Sequence, residues 1–67
     1  MINFETEAEE ILKKKITAYK VNPVEDNLNL LTEELINELR EASKKHIMDN
    51  VSQTYLSNLT VRLAASV

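Results

Sequence analysis

Not one glycine occurs in this 67-residue chain, and it holds a single proline, Pro23. The commonest punctuation of turns and helix ends is therefore missing, and what divides the sequence is a set of helix-start signals. In three places a small polar acceptor stands three residues before a Glu or Gln: Thr6 with Glu9, Asn22 with Glu25, and Asn50 with Gln53. Each pair can satisfy two backbone amides left open at a helix N-terminus, the acceptor bonding forward and the longer side chain reaching back. The expectation is an all-α chain of three helices, over about 7–20, 23–48 and 51–65, forming one small domain across 1–67.

In the first helix Ala8, Ile11, Leu12, Ile16 and Tyr19 recur at spacings of three and four and make one apolar stripe. Glu7, Glu9 and Glu10 fill the first turn, and Lys13, Lys14, Lys15 and Lys20 follow. That order suits the helix macrodipole and sets Glu9 with Lys13 and Glu10 with Lys14 as ion pairs one turn apart. Val21 and Asn22 make a short connection, because Pro23 is best tolerated at the first helical position, where an N–H would have no partner anyway. Proline also drives Asn22 out of the α region, so the first two helices form an antiparallel hairpin rather than one rod.

The second helix is the expected spine, about 39 Å long at 1.5 Å per residue. Val24, Leu28, Leu31, Leu35, Leu39, Ala42 and His46 form its stripe, and Ile36 and Ile47 widen it enough to touch two neighbours. Glu25 and Asp26 open it, while Lys44, Lys45 and His46 close it, again matching the dipole, with Glu41 and Lys45 as a further pair. Asp49 and Asn50 mark a boundary. With neither Gly nor Pro there, a single helix of about forty residues running through the second and third segments is the alternative.

The third helix carries one charge, Arg62. Val51, Tyr55, Leu56, Leu59 and Leu63 share one face, and Val61, Ala64 and Ala65 lie on another, so the segment from Leu56 onward is apolar on most sides. A three-helix monomer covers one side of its third helix. Leu56, Leu59, Val61, Leu63 and Tyr55, with Ile47 of the second helix, are therefore the expected protein interface, completed by a second copy or by another protein. Size points the same way: a chain this short buries only about 60% of the surface it exposes when unfolded, and without cysteine it has neither disulfides nor Cys-based zinc to staple it.

Apolar residues make up 43% and charged residues 28%, a globular rather than disordered balance, and the net charge of -3 argues against a chain built mainly to hold phosphates. His46 is the sole histidine; in the last turn of a helix it is accounted for by the dipole and by the carbonyls left open there. Glu9 with Glu10 and Glu33 with Glu34 read as a solvated face, because the Glu-x-x-His motif of di-metal bundles is absent. Ser43, Ser52, Ser57 and Ser66 have no identifiable base. We expect no catalytic residue, no cofactor, no metal site and no small-molecule ligand. The lysines of the first helix and Lys44 and Lys45 are interleaved with more numerous acids, which disfavours nucleic acid as a partner. No apolar run approaches the roughly 20 residues of a membrane span, and residues 1–10 are acidic where a secretory signal is basic, so the expected location is the cytoplasm and no membrane partner is foreseen.

A long central helix with a shorter one at each end, Val51-Ser52 opening the third and Leu56 and Leu59 following, resembles the histone fold. The chain departs from that pattern at Tyr55, where the family has an aspartate. The resemblance implies an obligate dimer in a DNA-associated complex. The residues themselves lead first to a non-enzymatic helical interaction module, a regulatory small subunit, adaptor or inhibitor that uses the apolar surface of its second and third helices, as a homodimer or against another protein. The alternative is a nucleic-acid-associated regulator, by helix-turn-helix or histone-like pairing.

Overall fold

The computed structural model describes residues 3–46 and 51–66, and among them the chain is three helices with no strand: α1 Phe4–Val21, α2 Glu25–Lys45 and α3 Gln53–Ala64. The all-α, three-helix expectation holds. Its caps do not follow the expected pairs.

α1 starts one turn before Thr6 would have opened it. Asn3, extended at φ -87° and ψ 173°, is the N-cap, and its side-chain oxygen accepts the Thr6 N–H at 2.8 Å. Starting there carries Phe4 into the helix and into the core, a gain on the order of 2 kcal/mol for a large apolar side chain that outweighs a second capping bond.

At the corner, Asn22 closes α1 instead of opening α2. It sits at φ -141° and ψ 79°, its N–H bonded to the Tyr19 carbonyl, because a residue before proline is pushed out of the α region. Pro23 precedes the cap rather than filling the first helical position. Val24, extended at φ -116° and ψ 154°, is the N-cap of α2; its carbonyl takes the Leu28 N–H at 3.0 Å, and it has no side-chain acceptor to offer. Asn27 compensates from inside α2: its amide nitrogen donates to the Asn22 carbonyl at 2.8 Å and to the Ala18 carbonyl at 3.4 Å, closing the corner.

α2 ends at Lys45, with His46 as C-cap at φ -93° and ψ 11°. Ile47, Met48, Asp49 and Asn50, over which the second helix and the third cap are expected to run, lie outside the described residues. α3 is capped by Ser52 without a side-chain bond, so Gln53 is its first residue. α2 and α3 are separate helices in contact with each other, and both also contact α1. The central helix is the longest, as expected, with 21 residues against 18 in α1 and 12 in α3, although α1 comes close to it in length.

Each helix contributes one stripe to a single core: Phe4, Ala8 and Leu12 from α1, Leu31, Leu35, Leu39 and Ala42 from α2, and Leu56, Leu59 and Leu63 from α3. The position of α3 is fixed at both of its ends. Tyr55 in its first turn lays its ring against Phe4, with centroids 5.9 Å apart, and Arg62 in its last turn grips Glu9 through two bonds of 2.6 and 3.0 Å. α3 therefore runs alongside the first half of α1, in the same direction. At 1.5 Å per residue it is about 18 Å long against about 27 Å for α1 and 31 Å for α2, and the molecule measures 34 Å along its longest axis. The half of the hairpin nearest the Asn22 corner extends past the third helix.

Candidate interaction surface

Of the six residues expected to form an interface, the five among the described residues do not share one exposed surface. Leu56, Leu59 and Leu63 are 5%, 2% and 0% exposed and belong to the core of the single chain. Read as a helix by itself, α3 has more apolar surface than one neighbour can cover; set in the wedge between α1 and α2, it meets two. Those three leucines therefore have nothing left to present, and Leu59→Lys would place a charge in the core rather than release a partner. Tyr55 is half-buried at the core edge, where burial, and then the Glu9 and Glu5 carboxylates, push its hydroxyl above the ordinary tyrosine range. Val61 points away from the core and is 64% exposed. Ile47 lies outside the described residues.

Most of the exposed large apolar side chains lie elsewhere. Beyond the end of α3, Ile16 and Tyr19 of α1 and Leu28 of α2 pack against the core yet remain partly exposed, and Val24 and Val21 at the corner are exposed to solvent. Ile16, Tyr19, Leu28 and Val24 continue the same stripes that α3 covers lower down, so this is the core face of the hairpin left without its third wall. Period alone puts these residues on the stripes without showing that nothing covers them. The signal that separates them is length, because a helix of 12 residues cannot line a hairpin whose arms have 18 and 21.

Charged side chains link the helices across their seams. Lys15 is nearly buried and bonds Glu38, as well as Glu34 at 3.4 Å; burial alone would lower its pKa, but the two carboxylates outweigh that and raise it. Glu9 is held below the usual carboxylate range by the Arg62 guanidinium, which is itself raised. Glu7 accepts from His46 Nε2 at 3.1 Å and from Lys45 Nζ at 3.2 Å, and the two bonds, that from His46 first, lower its pKa. The expected partners differ: Glu9 turns to α3 instead of to Lys13, Lys45 turns to Glu7, and Glu41 pairs with Lys44 at 3.5 Å.

His46 thus has a partner that its neighbours in sequence do not suggest. Its imidazole bonds Glu7 and meets the Phe4 ring edge-on at 6.2 Å, fastening the start of α1 to the end of α2. Ser43, one turn before it, donates its hydroxyl to the Arg40 carbonyl at 2.6 Å. A shallow groove of about 300 Å³ runs between α1 and α2 beside this cluster, floored by Ile11 and Ala42. Among the described residues no three His, Cys, Asp or Glu side chains converge as metal ligands would, and no helix is long and apolar enough to cross a membrane. Compared with protein-family models, with curated proteins and with solved structures, the chain finds no match in any of the three.

Proposed function

We propose that this chain is a small non-enzymatic helical interaction module, a subunit, adaptor or inhibitor that completes its hydrophobic surface with another helical chain, a second copy of itself foremost. One observation carries the reading: the core face of the hairpin continues past α3, leaving Ile16, Tyr19 and Leu28 half-covered beside an exposed Val24. This moves the docking surface from α3 to the corner end of α1 and α2. A helix laid across that end would occupy the place a longer α3 would have filled, with its own apolar stripe set against those four side chains. Val61 stands on another side of the molecule and contributes nothing to this contact.

Sedimentation equilibrium over a concentration series tests the reading. The weight-average mass is expected to rise from 7.7 kDa toward twice that value, and Val24→Asp is expected to hold it at the monomer. A chain that keeps the monomer mass throughout and leaves a hydrophobic dye dark would overturn the reading, since no apolar surface would then await a partner.

A further inference from the structure

We draw no further inference here: the strongest candidate, the shallow groove between α1 and α2 lined by Glu7, Ile11, Glu38, Glu41, Ala42 and Lys45, carries nothing, because its carboxylates are already bonded to Lys15, Lys44, Lys45 and His46 and nothing in the structure shows what covers it.

Discussion

Leu39 and Arg62 show how differently a buried leucine and a surface ion pair weigh on this fold. Leu39 is fully buried in the core that the three helices share, and cutting it to alanine removes both its transfer free energy and the packing around the void, about 2–5 kcal/mol. A domain of this size holds only about 3–5 kcal/mol in its core, so Leu39→Ala should be largely unfolded at 25 °C by circular dichroism. Arg62 makes two good bonds to Glu9, yet both side chains are about half exposed. Water and salt screen such a pair, and Arg62→Ala should cost about 1 kcal/mol or less in a urea titration. Glu7 adds a dependence on pH. Its pKa is depressed in the folded chain, so its contribution is present above the ordinary carboxylate value and disappears as pH falls through the lowered one. Thermal midpoints followed from about pH 6 down to about pH 2 should therefore show the native chain losing more than Glu7→Gln. Parallel curves would mean that the bonds from His46 and Lys45 do not hold in solution.

Helices are legible in the sequence where apolar period and dipole charges agree, which is why the stripes through Ala8 and Leu12 and through Leu31, Leu35, Leu39 and Ala42 emerge as core. Caps are not legible, because a capping pair is a local signal that burial and backbone stereochemistry override. Phe4 draws α1 back to Asn3, and the ring of Pro23 turns Asn22 into a helix end. The interface shifts for a related reason: whether Leu56, Leu59 and Leu63 are covered depends on the wedge that α1 and α2 form, which no property of α3 contains. α2 starts on a valine N-cap, which has no side-chain acceptor to bond its first amides. Val24→Asp supplies an acceptor and places a negative charge at the positive end of the dipole, together about 0.5–2 kcal/mol. In dilute solution, where the chain is monomeric, this variant should melt above the native protein. Asn27→Ala acts in the opposite direction at the same corner, taking its donor from the Ala18 carbonyl and leaving the Asn22 carbonyl with the Val24 N–H alone, and should cost about 1 kcal/mol.

At the scale of the whole molecule, three helices of unequal length cannot make a core that is finished at both ends. The end holding Phe4, Tyr55 and His46 is closed by rings and ion pairs from all three helices. The Asn22 end has two helices and a corner, and its side chains fade from buried at Leu31 through half-covered at Leu28 to exposed at Val24. A chain that binds its own copy there links folding to concentration by mass action, because only the folded form offers the surface. The thermal midpoint of the native protein should then climb as concentration rises, with no change in the helical signal of the folded state. Val24→Asp should separate the two effects that meet at this residue: a higher midpoint than the native chain at the lowest concentration, where capping decides, and a midpoint that no longer moves with concentration, because a carboxylate cannot be carried into an apolar contact without a partner. Native melting that is equally flat across the series would leave the open end of the hairpin as ordinary wet surface, and the interaction module would have no docking face.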